Sequence, residues 1–186
     1  MTTIVSKDRY YSCAFEMLAE SGFKDINVGA LCRRLGVTSG SFYHHFGGWD
    51  GFVAALLDHW ENRQIVLLRE RQFGSQGAMT DLDALLELTV GLPHQAEAAL
   101  RAWAANSEAV RLGVDRVDED RRTTIERVIT RIVGDETAAR HLTSLGACLL
   151  VGHQQLLISG RQSELSTLLA VYRELILSHS TVEQTA

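Results

Sequence analysis

The chain has 186 residues, 46% of them apolar, with one proline, three cysteines and a formal net charge of −5. That is enough apolar mass for one large or two small cored domains, and so little proline argues against a turn-rich sheet protein, because long helices exclude a residue that lacks the N–H and clashes with the preceding turn. The acidic balance excludes a uniformly basic nucleic-acid binder, and the scattered thiols Cys13, Cys32 and Cys148, without CxxC spacing, exclude a disulfide framework and point to a reducing cytoplasm.

The first predicted helix covers 4–21, with Tyr11, Ala14, Phe15 and Leu18 at helical spacing. Gly22 suits the position past its end, and Phe23 and Ile26 are expected to close onto the core. Asn27 is a good N-cap for a second helix, whose Val28, Leu31, Cys32 and Leu35 form one apolar face and which stops at Gly36. A short third helix covers 39–46, with Phe42 and Phe46 inward, and Gly47-Gly48 breaks it. The fourth, 49–72, carries Trp49, Phe52, Val53, Leu56, Leu57 and Trp60 on one stripe. A loop at 74–77 precedes a fifth helix over 80–91. Pro93 is placed in the first turn of the sixth, 93–105. A seventh runs 107–133, an eighth 136–159 and a ninth 163–180.

The expected fold is all-α with about nine helices: an N-terminal three-helix helix-turn-helix domain, residues 1–48, and a C-terminal helical bundle, residues 49–186. No basic start followed by an apolar run marks a signal peptide. The longest apolar stretch, 142–158, is broken by Thr143, Ser144, His153, Gln154 and Gln155 and falls short of the roughly 20 apolar residues a membrane span needs. The acidity lies mostly toward the C-terminus: residues 1–48 hold five Lys/Arg against four acids, and the remainder thirteen against nineteen. Local contact with DNA is compatible with that distribution.

The informative stretch is 27–52. A helix-turn-helix lays its second helix in the major groove while the first crosses the backbone. Its turn must be tight, as Gly36 permits. The inner face of the second helix must be apolar, and its outer face must offer small or hydrogen-bonding groups, as Ser39, Gly40, Ser41, Tyr43 and His44 do. The run Leu35-Gly36-Val37-Thr38-Ser39-Gly40-Ser41-Phe42-Tyr43-His44-His45-Phe46 resembles the helix-turn-helix signature of TetR-type regulators. Upstream, Ala14, Phe15 and Leu18 followed by Gly22-Phe23 resemble that family's first helix. The resemblance covers roughly residues 8–58, about a quarter to a third of the chain, and is highly specific.

The resemblance implies a homodimer that presents two recognition helices to a palindromic double-stranded operator. Tyr43 and His45 match positions that touch phosphate in such proteins. Thr38, Ser39, Ser41 and His44 match positions that face bases or backbone. Asn27, Arg33 and Gly40 complete the candidate DNA face. Two places depart from the pattern. Trp49 stands where the family usually has a lysine that meets phosphate, and Val28-Gly29 replace a more polar start of the second helix. Both changes remove charge or polarity, which Arg33 would have to offset. They motivate a rival reading, a helical ligand-binding or interaction protein with weakened or lost DNA binding.

Elsewhere, Trp60, Trp103, Asn106, His153 and Gln154 are candidates to line an effector pocket, since small-molecule sites are mostly apolar with a few polar groups. Leu142, Leu145, Gly146, Leu149, Leu165, Leu168 and Tyr172 are candidates for a self-pairing two-helix face. Cys148, in a strongly apolar helix, is expected to be a buried small hydrophobe. Adjacent His44 and His45 point in different directions on a helix and make a poor chelate. No catalytic motif, metal site or cofactor is expected. The function expected is that of a repressor released from its operator by a small molecule.

Overall fold

Capping residues and apolar spacing divide the chain into nine α-helices and one 3₁₀ turn among the described residues, which are 5–70, 73–74, 77–156 and 162–180 of a computed structural model. They are α1 (Lys7–Ser21), the 3₁₀ turn (Phe23–Asp25), α2 (Val28–Leu35), α3 (Ser39–Phe46), α4 (Trp49–Glu70), α5 (Ala78–Val90), α6 (His94–Ala104), α7 (Glu108–Val133), α8 (Glu136–Leu156) and α9 (Gln162–Ser178). The all-α expectation holds, and no strand occurs among these residues. The expected extensions of the fourth helix over 71–72 and of the eighth over 157–159 lie outside the described residues. Pro93 sits one place earlier than expected, capping α6 from outside; its carbonyl accepts from the Glu97 N–H at 3.0 Å, a role that needs no N–H of its own.

Two compact units divide the chain: Met1–Gln64 with Pro93–Arg116, and Ile65–Leu92 with Val117–Ala186. In the first, α1 packs on α2 and α6, and α2 on α3. Its centre is aromatic. Tyr10, Phe42 and Phe52 are fully buried, Phe46 nearly so, and their rings meet edge-on or tilted with centroids 5.1–5.9 Å apart, the arrangement that aromatic quadrupoles favour. Phe23 stacks on Trp103 of α6 at 6.2 Å and Ile26 is buried, so the connection after α1 closes onto the core as expected.

In the second unit, Leu82 and Leu85 of α5, Val128, Ile129, Ile132 and Val133 of α7, Ala139 and Leu142 of α8, and Leu165, Leu169, Tyr172 and Ile176 of α9 make one core. Asp81, 2% exposed, is held there by an ion pair with Arg131 and by the Gly74 N–H at 2.8 Å; a buried carboxylate needs such partners. Cys148 departs from expectation. Cys13 and Cys32 are buried, and burial pushes both thiols up, whereas Cys148 is exposed. The apolar residues of α8 exceed what its inward face can hold, and Cys148 falls on the opposite face.

Candidate nucleic-acid interface

The local sequence builds α2 and α3 residue by residue. Asn27 Oδ1 accepts the Ala30 N–H at 3.0 Å, which caps α2 and commits that side chain to structure. Gly36 closes α2 in the left-handed region, φ 67° and ψ 34°, and the Val37 N–H returns to Cys32 O at 3.0 Å. The chain leaves this tight turn through Thr38, the N-cap of α3. The Thr38 hydroxyl makes no capping bond and is exposed, so it stays available to an outside partner. Gly47 ends α3 the same way, φ 71°, with its N–H on Tyr43 O at 2.8 Å.

α3 therefore has two faces. Phe42 and Phe46 point into the aromatic centre. Ser39, Gly40, Tyr43 and His44 are exposed, Tyr43 by 53%, while Ser41 and His45 are half-buried at the boundary. A Cβ at Gly40 would meet only Thr38 Oγ1, at an ordinary 3.7 Å, so packing within the chain does not require glycine there. An unobstructed Gly40 leaves backbone open to close approach from outside.

Arg33 and Arg34 part company. Arg34 pairs with Glu16 and Glu20 of α1, which bonds α2 to α1 and holds the Glu20 carboxyl below its usual range. Arg33 is exposed and lies back along α2, its Nη1 3.4 Å from where a Cβ at Gly29 would stand. A methyl group there would meet the guanidinium only in ordinary contact, so Arg33 does not require the glycine.

Trp49 is explained by packing. Its ring lies 5.5 Å from Phe52 and 6.2 Å from Trp103, tying the first turn of α4 to α6. Sequence reasoning missed Gly51. A Cβ there would stand 2.1 Å from the Phe46 carbonyl oxygen, so the first turn of α4 rests directly on the last residue of α3. Lys7 was also overlooked; its Nζ sits over the Phe46 ring, 5.6 Å from the centroid, and adds a cation beside the end of α3. No periodic signal marks either residue.

The candidate pocket residues are drawn from both units. Trp60, Trp103 and Asn106 belong to the first unit, and His153 and Gln154 to the second. Trp60, Trp103, His153 and Gln154 are buried, but Asn106 is exposed and donates to Ala102 O at 3.3 Å. The candidate pairing residues also divide. Leu142, Leu165 and Tyr172 are core. The Tyr172 hydroxyl donates to Leu142 O at 2.6 Å, and burial pushes its pKa up. A Cβ at Gly146 would stand 2.6 Å from that hydroxyl, so the glycine admits Tyr172 of its own chain. Leu145 and Leu168 are exposed and Leu149 is partly buried. Among the described residues no group of three or more His, Cys, Asp or Glu is placed to hold a metal ion, and no helix is long and apolar enough to cross a membrane.

Residues 12–56 match the family described as bacterial regulatory proteins, tetR family. This N-terminal segment is thus similar to that of TetR-family regulators. The chain is also similar to the HTH-type transcriptional regulator UidR of Escherichia coli K12 and of Shigella flexneri, each 26% identical over 91 residues, which are 49% of this chain and 44% of the relative. The chain thus matches less than half the length of these curated relatives. Its fold extends much further. A transcriptional regulator from Rhodococcus sp. Rha1 superposes with a TM-score of 0.80 at 23% identity, covering 96% of this chain and 99% of the other. A regulator from Saccharomonospora viridis, solved in complex with choline, superposes with a TM-score of 0.77 at 16% identity over 90% and 95%. A TetR-family regulator from Streptomyces coelicolor does so with 0.76 at 15% over 94% and 95%. At these identities the likeness shows the fold.

Proposed function

We propose that the chain is a cytoplasmic DNA-binding transcription regulator, a homodimeric repressor that leaves a palindromic operator when a small molecule binds. In this reading residues 1–48 grip DNA and residues 49–186 dimerise and take the effector. The carrying observation is the division of α3 into an aromatic face fixed in the core and an exposed face of hydroxyl, imidazole and phenol groups. That face suits a major groove, where short hydrogen-bonding side chains reach phosphates and base edges. Lys7 at the end of α3 and the exposed Arg33 on α2 supply cations to the same segment despite the chain's net charge of −5.

Dimerisation is supported by leucines and valine that the single chain leaves uncovered. Leu145 and Leu156 on α8, and Leu168, Val171 and Leu175 on α9, are 37–68% exposed. A self-complementary pairing of these helices would bury them. Two deeply buried polar atoms support an effector: Trp60 Nε1 and Thr143 Oγ1, one in each unit, lack a hydrogen-bond partner among the described residues, a state that a polar ligand relieves. The regulator from S. viridis, alike in fold, holds choline. An effector acts only through different affinity for the DNA-competent and released states.

The test is gel retardation of duplex from upstream of the chain's own gene. A retarded band at low salt that fades as salt rises is expected, with affinity about three- to tenfold lower for Tyr43→Ala. No retardation at low salt removes the reading.

A further inference from the structure

We infer that Tyr10, inside α1 and far in sequence from the recognition helix, is a positioning residue for DNA binding, acting through Ser41. The inference rests on the DNA-binding reading of α3 and concerns how one of its contact groups is prepared.

The Tyr10 ring is 0% exposed and meets Phe42, His45 and Phe46, three residues of α3, with centroids at 5.9, 5.7 and 5.3 Å. A buried phenol must place its hydroxyl on a partner. Tyr10 donates to Ser41 Oγ at 3.2 Å, across 31 residues of sequence. Ser41 makes no other side-chain hydrogen bond among the described residues, and it stands half-buried where the core face of α3 turns into the exposed face.

The consequence follows from what a hydroxyl can do. It has one proton and two lone pairs. With Tyr10 occupying a lone pair from the core side, Ser41 keeps its proton for the solvent side, and receiving a hydrogen bond makes it a better donor. Without that bond, the serine would be free to turn its proton back onto the local Thr38 carbonyl, which already accepts the Ser41 N–H at 3.1 Å. Tyr10 therefore presents Ser41 as a donor to an acceptor on the duplex, a phosphate oxygen or a base edge, while its ring fixes α3 against α1.

The experiment is a double-mutant cycle of Tyr10→Phe and Ser41→Ala, read by affinity for the upstream duplex and for a scrambled duplex of equal length, with thermal unfolding measured alongside. Tyr10→Phe keeps the ring, so folding is retained. It is expected to lower affinity about three- to tenfold, as loss of one hydrogen bond does. Ser41→Ala is expected to lower it at least as much, and adding Tyr10→Phe to Ser41→Ala to lower it no further. Stability should run differently: Ser41→Ala strands a buried phenol hydroxyl, and the double variant should recover part of the lost melting temperature. Equal losses on both duplexes assign the acceptor as phosphate; a loss confined to the upstream duplex assigns it as a base. Wild-type affinity in Tyr10→Phe, or losses that multiply in the double variant, overturns the inference and leaves DNA binding standing. Absence of binding by the wild-type chain overturns both.

Discussion

The α2–α3 segment and the α8–α9 pair handle surface in opposite ways. α3 sends its large apolar side chains, Phe42 and Phe46, inward and shows polar groups. α8 and α9 fill their shared core with Leu142, Leu165, Leu169, Tyr172 and Ile176 and still leave Leu145, Leu156, Leu168, Val171 and Leu175 outside. The first surface suits a charged, hydrated partner, and the second a partner as apolar as itself. At the α3–α4 junction and between α8 and α9, a glycine with no room for a methyl group sets how close the elements lie. The two glycines give the sharpest means of perturbing one surface without the other.

Gly51→Ala should have the largest effect. The added Cβ meets the backbone oxygen of Phe46 at 2.1 Å, and a backbone atom cannot rotate aside as a side chain can. Overpacking of this kind costs about 2–3 kcal/mol, a fall in melting temperature of roughly 5–10 °C for a chain of this size. Since the end of α3 must shift, DNA affinity should fall as well. Gly48→Ala, whose Cβ meets nothing within 4 Å, is the matched control and should leave both near wild type. Equal melting temperatures for the two variants would sink this account of the α3–α4 junction.

Gly146→Ala should come next, at about 1–2 kcal/mol in urea unfolding. Here the obstacle is the Tyr172 hydroxyl at 2.6 Å, which Tyr172→Phe removes. The double variant should therefore lose less than the sum of the singles. DNA affinity per folded dimer should be unchanged, in contrast to Gly51→Ala. Additive losses would mean that Gly146 and Tyr172 do not constrain each other.

These glycines also show where sequence reading stopped. The ends of α2 and α3 were legible because local chemistry sets them: Asn27 caps, Gly36 and Gly47 take left-handed conformations, and Phe42 and Phe46 lie four residues apart. The exposed polar face of α3 was legible for the same reason, being the polar remainder of a short helix. Gly51 and Gly146 were not legible in this sense, because what makes a glycine obligatory there is an atom from another part of the fold. In α8 and α9 periodicity showed that much of the surface is apolar, but not which part turns inward. Leu142, Leu165 and Tyr172 went to the core, and Cys148 came out. Trp49, a departure from the pattern at the level of residues, is a packing choice at the level of rings.

Val171→Glu tests the second surface directly. Val171 is 65% exposed, so a charge there costs the single chain little. Within a self-pairing face it would meet its own copy across an apolar contact. The expected outcome is a shift from dimer to monomer in sedimentation equilibrium, with far-UV dichroism retained and operator binding lost through lost bivalency. Cys148 gives an independent readout. Exposed in the single chain, it should alkylate faster in Val171→Glu than in the wild type, while Cys13 and Cys32 stay slow in both, being buried and harder to ionise. A wild type that is monomeric at micromolar concentration would dismiss the pairing.

The smallest effect belongs to the α1–α2 ion pair. Arg34 donates to Glu20, at 2.6 Å to Oε1, and that bond lowers the Glu20 carboxyl's pKa in the fold. A carboxyl with a lower pKa folded than unfolded adds stability above its unfolded value, near 4.3, and that contribution disappears as pH falls through the folded value. Glu20→Gln should therefore lower the melting temperature slightly at pH 7, and the gap to wild type should close on acidification below about pH 4. Both groups are open to solvent, so the gap at pH 7 should also shrink in high salt, where screening weakens exposed pairs. A gap that persists at low pH would assign the stabilisation to the shape of the side chain and not to its charge. Because Arg34 joins α2 to α1 while Arg33 stays exposed, Glu20→Gln also asks whether the two neighbouring arginines act separately: the salt slope of DNA binding should hold in Glu20→Gln and become shallower by about one unit when Arg33 is replaced by alanine.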